Sequence, residues 1–253
     1  MNLFKNVIRP YLHIRYTLDK IMARGAFGPD QAVYIHPGPE DLGPNPLKKA
    51  MMRNHLKQYH ESSCSVASVV NVVNAIGEIQ GTFPKPRMLS QMDILDRVKA
   101  ANWKKRMSPE GDNGKRGLPL FMLGEVVKES LETYGIAHRS VTTIQTVKDP
   151  SKSAQLKQNL LEHLKAFDPH GRAVIIAHFN QGVFVKALHI PHISPVGAFD
   201  PKTNSVTLLD VDFLQEKPYR ISFDRFYEGI SSDYNHIFRH FGYGSGGYVY
   251  IEL

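Results

Sequence analysis

The first half of the chain carries apolar residues at helical spacing. The clearest segment begins near Cys64 and has a natural stop at Gly77. Its apolar stripe consists of Val66, Val69, Val70 and Val73. Further helical patterns cover residues 91–101, 120–134 and 154–167. Because apolar side chains three and four residues apart share one helix face, this half is predicted to be helical.

From residue 173 onward the pattern changes to the alternation that is typical of strands. The predicted strands cover residues 173–179, 183–188, 192–199, 205–211 and 247–253. One short helix over residues 223–230 interrupts them, with Ser222 as its N-cap. A helical half followed by an antiparallel sheet indicates an α+β fold.

Residues 1–50 are predicted to be an N-terminal extension, and residues 51–253 the domain that follows. Residues 1–28 form a basic amphipathic segment interrupted by Pro10. This segment fits a terminal helix packed on the domain with its basic face in solvent, and it also fits contact with an anionic membrane surface. Residues 25–49 contain five prolines and are predicted to be an extended connector.

The composition excludes several classes of protein. Cys64 is the single cysteine among 253 residues, so an intramolecular disulfide and a multi-thiolate metal site are both excluded. No apolar run approaches the roughly 20 residues needed to span a bilayer, and no continuous apolar segment suits a secretion signal. We therefore expect a cytoplasmic protein, or one exported without a cleaved signal peptide. The formal charge of +7 suits an anionic partner, but no nucleic-acid recognition motif accompanies it.

Candidate chemistry begins with Cys64, which stands where a loop gives way to a helix. The unpaired N–H groups and the helix dipole at that point favour a thiolate. A hairpin centred near residue 202 would place His192 opposite residues close to 212, so His192 and Asp210 would share a face. The three residues can then form a Cys-His-Asp triad. The Cys64 N–H and the side chain of Gln58 are candidate oxyanion donors.

Each of these residues also has a structural interpretation. A lone cysteine in an apolar helix can be a small buried hydrophobe, His192 can be a structural histidine of a strand, and Asp210 can simply end a strand. The conjunction favours the catalytic interpretation, because the order Gln, Cys, His, Asp across a helical half and a β half is shared by papain-like thiol enzymes.

Four stretches and the closing strand resemble the catalytic domain of phytochelatin synthases, a papain-like family. Residues 58–77 read QYHESSCSVASVVNVVNAIG and are similar to the family's nucleophile segment. Residues 117–135 (GLPLFMLGEVVKESLETYG), 192–199 (HISPVGAF), 208–212 (LLDVD) and the closing GGYVYIEL also resemble family blocks. The interval of 18 residues between His192 and Asp210 is the family's interval.

The resemblance implies an α+β, papain-like fold with a helical N-terminal lobe and a sheet C-terminal lobe. It implies Cys64 as nucleophile, His192 as general base and acid, Asp210 as orienting group and Gln58 in the oxyanion hole. Glutathione is the implied substrate, cleaved at its Cys–Gly amide through a γ-glutamylcysteinyl thioester. No cofactor is implied for acyl transfer, although Cd or Zn can enter as a glutathione thiolate complex. A homodimer is a candidate arrangement apart from the resemblance, because the sequence does not determine the oligomeric state.

The sequence departs from the family after Asp210. Phe213 stands where family members carry an Arg associated with holding the acidic substrate, and Glu216 and Lys217 replace the aromatic residue before Pro. Arg220 or the basic stretch 104–116 is a candidate substitute for the missing cation. Because Cys64 is the single cysteine, we also expect no cysteine-rich, metal-responsive C-terminal domain like that of plant members. Because short bacterial relatives mainly hydrolyse glutathione, hydrolysis is favoured over polymerisation.

Two alternatives stay open. One is a cysteine peptidase or amidase that acts on another peptide. The other is a non-catalytic protein that binds metal through His189 and His192 or through His236 and His240, although two imidazoles without a third ligand are a weak zinc signal.

Overall fold

A seven-stranded antiparallel sheet carries the helices of this protein. The computed structural model describes residues 32–36, 42–83, 88–184, 190–234 and 242–253, with the isolated positions 10, 11, 14 and 18. The strands are β1 (Val33–Tyr34), β2 (Ser140–Gln145), β3 (Ala173–Asn180), β4 (Pro191–Asp200), β5 (Ser205–Leu208), β6 (Tyr219–Ser222) and β7 (Gly247–Glu252). Their order across the sheet is β1-β6-β5-β4-β3-β7-β2.

Seven α-helices occur in the described part of the chain. They are α1 (Pro46–Arg53), α2 (Cys64–Gln80), α3 (Gln91–Arg97), α4 (Trp103–Arg106), α5 (Leu120–Thr133), α6 (Pro150–Phe167) and α7 (Phe223–Ile230). The combination of helices and antiparallel sheet confirms the predicted α+β class. The predicted N-cap of α7 is also confirmed, because the Ser222 side chain accepts a hydrogen bond from the Arg225 N–H.

Helix α2 is the central helix of the core. All of its residues from Cys64 to Gly77 are buried. The polar side chains of this stretch are hydrogen-bonded within the core, and they are Ser65, Ser68, Asn71 and Asn74. The prediction that it stops at Gly77 is wrong by one turn. A side chain at Gly77 would collide with the Phe83 ring, since a Cβ there would lie 2.2 Å from it. The helix instead ends before Gly81, whose φ of +68° makes it the left-handed cap.

Two other predicted helices have different ends. The helix predicted over 91–101 stops at Arg97, because Val98 is extended with φ −82° and ψ 123°, and Ala100–Asn102 form a separate 3₁₀ turn. Helix α6 begins four residues before its predicted start, where the Asp149 side chain caps the first turn. Helix α5 matches its prediction to within one residue.

The predicted strands need three corrections. The strand predicted over 183–188 is wrong at its start, since Val183 belongs to a 3₁₀ turn, and residues 185–189 lie outside the described residues. Strand β5 ends at Leu208 rather than at 211, because the Val211 carbonyl accepts a hydrogen bond from Gln58 of the loop before α2. The sequence analysis missed β1, β2 and β6.

The connector predicted over 25–49 is also corrected. Pro46 is the first residue of α1, where its fixed φ and missing N–H are tolerated, and the Asn45 side chain caps that helix. Helix α1 runs across residue 50, the position of the predicted domain boundary. Upstream, Val33 and Tyr34 pair with β6 and extend the sheet.

Most of the amphipathic segment predicted over residues 1–28 lies outside the described residues. Its described positions, Pro10, Tyr11, Ile14 and Leu18, are helical and exposed. None of the helices in the described part of the chain combines the length and apolar character needed to cross a bilayer.

Candidate active site

Cys64 is the first residue of α2. The preceding N-cap residue, Ser63, does not cap the helix with its side chain. Its Oγ instead donates to the His60 carbonyl over 2.8 Å and accepts from the His60 N–H over 3.0 Å. No capping hydroxyl therefore offsets the positive potential of the first-turn N–H groups beside the Cys64 sulfur. Cys64 is 8% exposed.

Two hydrogen bonds fix the start of α2 against its surroundings. Ser68, one turn beyond Cys64, donates from Oγ to the carbonyl of Ile193 over 2.9 Å. Ser65 accepts from the Trp103 indole N–H over 3.0 Å. Because Ile193 follows His192 on β4, the Ser68 bond holds the cysteine end of α2 beside the histidine.

His192 and Asp210 form a buried hydrogen-bonded pair. His192 Nε2 lies 2.8 Å from Asp210 Oδ1, and the two residues are 3% and 0% exposed. Burial by itself lowers the pKa of His192, but the charge of Asp210, the hydrogen bond to it and the nearby Cys64 sulfur raise that pKa well above 6.5. Burial raises the pKa of Asp210, but His192 and other donors outweigh burial and lower it to about 2.

Three further groups donate to the Asp210 carboxylate. The Tyr219 hydroxyl donates to Oδ2 over 2.7 Å, the Asp212 N–H to Oδ1 over 2.9 Å, and the Ser194 hydroxyl to Oδ1 over 3.4 Å. A carboxylate that accepts several such bonds is held in one orientation and stays ionised.

A β-bulge at Gly197 sets the relative position of His192 and Asp210. Asp200 pairs with Ser205 at the hairpin turn, so the pairing there is centred between residues 202 and 203. The register shifts between Val196 and Ala198, after which Leu209 N–H donates to the Pro195 carbonyl. This shift puts even-numbered residues of the two segments on a common face. The predicted proximity of His192 and Asp210 is therefore confirmed, with the bulge as its cause.

Gln58 lies on the loop that leads to Cys64. Its N–H donates to the Val211 carbonyl over 2.8 Å, and the residue is 7% exposed. The side-chain Oε1 is buried and has no hydrogen-bond partner within the described residues. The main chain thus anchors Gln58 next to Asp210, while its side-chain amide oxygen is left able to accept a hydrogen bond.

Lys57 and His55, on the same loop as Gln58, both contact the main-chain carbonyl of Asp210. Lys57 Nζ donates to the Asp210 carbonyl over 2.7 Å, and His55 Nε2 lies 3.0 Å from the same oxygen. Burial and the Lys57 charge lower the pKa of His55 to about 4, so this imidazole is neutral at pH 7. Its tautomer with a proton on Nε2 donates to the carbonyl.

Four residues of the site were not predicted from the sequence: Tyr219, Ser194, Lys57 and His55. Ser194 falls inside the quoted His-Ile-Ser-Pro block, and Lys57 directly precedes Gln58, so both carried a signal. Tyr219 begins the alternating segment Tyr-Arg-Ile-Ser, which is a strand signal, but the segment has only four residues after Pro218 and was not predicted as a strand.

The described residues provide no set of metal ligands for the metal-binding alternative. His192 uses Nε2 on Asp210, and His189, His236 and His240 lie outside the described residues. In the ranges that are described, no group of three or more His, Cys, Asp or Glu side chains could hold a metal ion.

Comparison with protein families decides the wider relationship. The family model described as phytochelatin synthase matches residues 47–243 of the 253-residue chain. The chain belongs to the phytochelatin synthase family. This confirms the resemblance found in the sequence, and the match includes Gln58, Cys64, His192 and Asp210. Among curated proteins, none gives a significant match.

Membership in the phytochelatin synthase family supports transfer of the γ-glutamylcysteinyl group with glutathione as the substrate. The site of this family member carries groups suited to acyl transfer: a cysteine at a helix start, a buried histidine and an ionised carboxylate.

Proposed function

We propose that this protein cleaves the Cys–Gly amide of glutathione through a thioester on Cys64, with Cys64, His192 and Asp210 as a catalytic triad. The observation that supports this most is the buried His192–Asp210 pair beside the only cysteine of the chain. An α+β arrangement with the cysteine at a helix start and the histidine on a strand also supports a papain-like fold.

In the first step the Cys64 thiolate attacks the carbonyl carbon of the Cys–Gly amide. Since Nε2 of His192 is engaged by Asp210, Nδ1 is the nitrogen left to face the sulfur and the substrate. The carbonyl electrons move to oxygen, and we propose that the Cys64 N–H and the Gln58 amide N–H stabilise the resulting oxyanion.

Collapse of the oxyanion breaks the C–N bond. His192 donates its Nδ1 proton to the amide nitrogen, glycine leaves, and the γ-glutamylcysteinyl group stays on Cys64 as a thioester. Asp210 stabilises the imidazolium before this transfer and holds the ring in position. The pKa of His192, which lies well above 6.5, keeps that proton available at neutral pH.

We propose that water is the main acceptor in the second step. Neutral His192 takes a proton from the water, which attacks the thioester carbonyl and releases γ-glutamylcysteine. Phe213, which replaces the cation of the family pattern, is 51% exposed and offers no charge to a second acidic glutathione. The transferase outcome differs only in the acceptor, a second glutathione amine in place of water.

Glycine release from glutathione tests the proposal. Wild-type protein should release glycine, and Cys64→Ser should abolish the release, since no other thiol can replace the nucleophile. Mass spectrometry of protein quenched during turnover should detect the acyl adduct on Cys64. Lys128→Met is a suitable control, because Lys128 lies on the exposed face of α5 in an ion pair with Glu132. Full activity in Cys64→Ser would overturn the mechanism.

The product distinguishes the two acceptors. A γ-glutamylcysteine product identifies hydrolysis, whereas longer γ-glutamylcysteinyl peptides identify transfer. A panel of other thiol peptides covers the remaining alternative of a peptidase or amidase, which would prefer a different peptide to glutathione.

A further inference from the structure

The basic stretch near residues 104–116 contains cations in two different environments. Lys104 and Lys105 are exposed and form ion pairs with Asp96 and Asp112, respectively. Arg106, the next residue, is only 5% exposed. Arg106 is therefore a buried cation, whereas Lys104 and Lys105 form ion pairs at the surface.

Among the described residues, the hydrogen-bond partners of Arg106 are two neutral main-chain carbonyls. Its Nε donates to the Ala101 carbonyl over 3.2 Å and its Nη1 donates to the Gly117 carbonyl over 3.3 Å. Within the described residues, no carboxylate lies within ion-pair distance of its guanidinium. The Arg106 charge lowers the pKa of Asp112, but the hydrogen bonds from Asn102 and Lys105 to that carboxylate lower it more.

A buried guanidinium without a counter-charge is unfavourable unless a ligand supplies that charge. Two carbonyls satisfy two of its five N–H donors, and a carboxylate matches the planar fork formed by the others. The arrangement is therefore suited to an anionic group of a ligand rather than to internal stability.

Arg106 also lies on the cysteine side of the molecule. It shares the short helix α4 with Trp103, whose indole bonds to Ser65, the residue after Cys64. Tyr243 joins the same region through a hydrogen bond of 3.4 Å from its hydroxyl to the Arg116 carbonyl. Gly117, whose carbonyl accepts the Arg106 hydrogen bond, has no side chain to collide with the Tyr243 hydroxyl. A Cβ at Gly117 would lie 2.2 Å from that hydroxyl oxygen.

Electrostatics supports this placement. Burial and then the Cys64 charge raise the pKa of Tyr243, while the Arg106 charge lowers it. The Tyr243 hydroxyl is therefore within electrostatic reach of both the sulfur and the guanidinium.

We propose that Arg106 and Tyr243 form a subsite that binds a carboxylate of the thiol peptide substrate. The inference rests on the proposed function, and it assigns the recognition of substrate charge to the end of α4. Glutathione offers two such groups, the glycine carboxylate and the α-carboxylate of the γ-glutamyl residue. Both have the same chemistry, so the experiment must tell them apart.

Arg106→Met and Arg106→Lys test the subsite against three substrates. These are glutathione, glutathione amidated at its glycine carboxylate, and an analogue without the γ-glutamyl α-carboxylate. With glutathione, Arg106→Met should lower kcat/KM by about 10- to 100-fold, mainly through KM, as expected for the loss of hydrogen bonds to a charged group. Arg106→Lys should recover part of this loss, because it keeps the charge without the fork.

The loss should nearly vanish with the analogue that lacks the contacted carboxylate, and this analogue identifies which carboxylate binds. Tyr243→Phe should show the same substrate dependence with a smaller loss. Lys104→Met is the matched control, because this exposed cation pairs with Asp96, away from Arg106 and Asp112, and its kcat/KM should not change. If Arg106→Met does not fold, as judged by its melting temperature, Arg106→Lys and Tyr243→Phe provide the same comparison.

An equal loss with all three substrates, or no loss with any, would overturn the subsite. Calorimetry with Cys64→Ala protein separates this failure from failure of the proposed function. Glutathione that binds through Arg106 but is not cleaved by wild-type protein would overturn the reaction and support the subsite. Cleavage that does not depend on Arg106 and a substrate carboxylate would overturn the subsite and leave the reaction standing.

Discussion

Tyr219 donates its hydroxyl hydrogen to Oδ2 of Asp210 over 2.7 Å, while His192 occupies Oδ1 of the same carboxylate. Tyr219 and Asp210 are both fully buried. Since the two carboxylate oxygens have different partners, Tyr219 holds the carboxylate from one side and leaves the other for the imidazole. Tyr219 is therefore a positioning residue for His192, acting through Asp210.

Tyr219→Phe should lower kcat for glycine release by roughly 3- to 30-fold and shift the acid limb of its pH profile upward. The loss of one donor raises the pKa of Asp210 from its value of about 2, because the hydrogen bond stabilises the ionised form. The phenyl ring should keep its place against Phe184, whose ring centroid is 6.4 Å away. The measurement is kcat between pH 2 and 9, on protein that circular dichroism shows to be folded at each pH, because the pKa of Asp210 starts from about 2.

Tyr227→Phe is the matched control for that experiment. Its hydroxyl donates to the Val147 carbonyl over 3.0 Å, so the variant loses a hydrogen bond of the same kind away from Asp210. An unchanged pH profile in Tyr219→Phe would show that the tyrosine only fills space.

Gly197→Ala should reduce both stability and activity. A Cβ at this position would lie 2.6 Å from Leu209 Cγ and 3.2 Å from Met52 Cε, so the bulge must distort. Overpacking of this kind costs about 1–3 kcal/mol in the free energy of unfolding. Glycine release should fall further than stability alone explains, because the bulge places Asp210 on the His192 face.

Urea unfolding and glycine release, measured on the same protein below its unfolding transition, check the Gly197 prediction. Gly43→Ala provides a control with open space around the new Cβ and a strained φ of +59°. It should lose about 1–2 kcal/mol of stability and keep its activity. Normal activity in folded Gly197→Ala would contradict the role assigned to the bulge.

The sequence allowed the pairing of His192 with Asp210 to be predicted, but not its mechanism. The prediction assumed a hairpin centred near residue 202, whereas the turn is centred between 202 and 203 and the Gly197 bulge restores the parity. A bulge depends on tertiary packing against Leu209, which alternation of apolar residues does not encode. The start of α2 at Cys64 was predictable because a local change from loop to helical periodicity marks it.

Arg106 shows the opposite limit of sequence-based prediction. In the run Lys104-Lys105-Arg106 the three cations look alike, but the first two pair with carboxylates at the surface while the third is buried and bonds to two main-chain carbonyls. The burial of Tyr219 was hidden for a similar reason. Its strand alternates apolar and polar residues but has only four of them, so pairing with β5 and β1 is needed to define it.

Stability should fall as the pH drops from about 6.5 to 4. Burial lowers the pKa of His178 to about 4, and that of His55 is also lowered to about 4. In this window the unfolded chain binds more protons than the folded protein, so acid favours unfolding. The full effect for His178 is about 3 kcal/mol, taking about 1.4 kcal/mol for each pKa unit. Asp210 contributes nothing in this window, because its stabilisation is lost only as the pH falls toward 2.

His192 acts in the opposite direction at higher pH. Its raised pKa gives stabilisation that is complete below 6.5 and lost as the pH rises through the folded-state value. Urea unfolding of wild type, His178→Gln and His170→Gln between pH 4 and 7 checks the acid window. His178→Gln should flatten the dependence, whereas His170→Gln, which changes an exposed side chain, should leave it as in wild type. Equal slopes in all three proteins would contradict the assignment to His178.

Alkylation of Cys64 by iodoacetamide at pH 6 should be faster in wild type than in His192→Ala by at least tenfold. The thiolate is the reactive form, and an imidazolium beside it stabilises that form. The pKa of His192 lies well above 6.5, so the imidazolium is present at this pH. Because Cys64 is the only cysteine, the mass of the intact protein reports its labelling directly. Wild-type protein unfolded in urea sets the rate of a free thiol, and folded protein that labels no faster than this reference would argue for a cysteine that is only a buried hydrophobe.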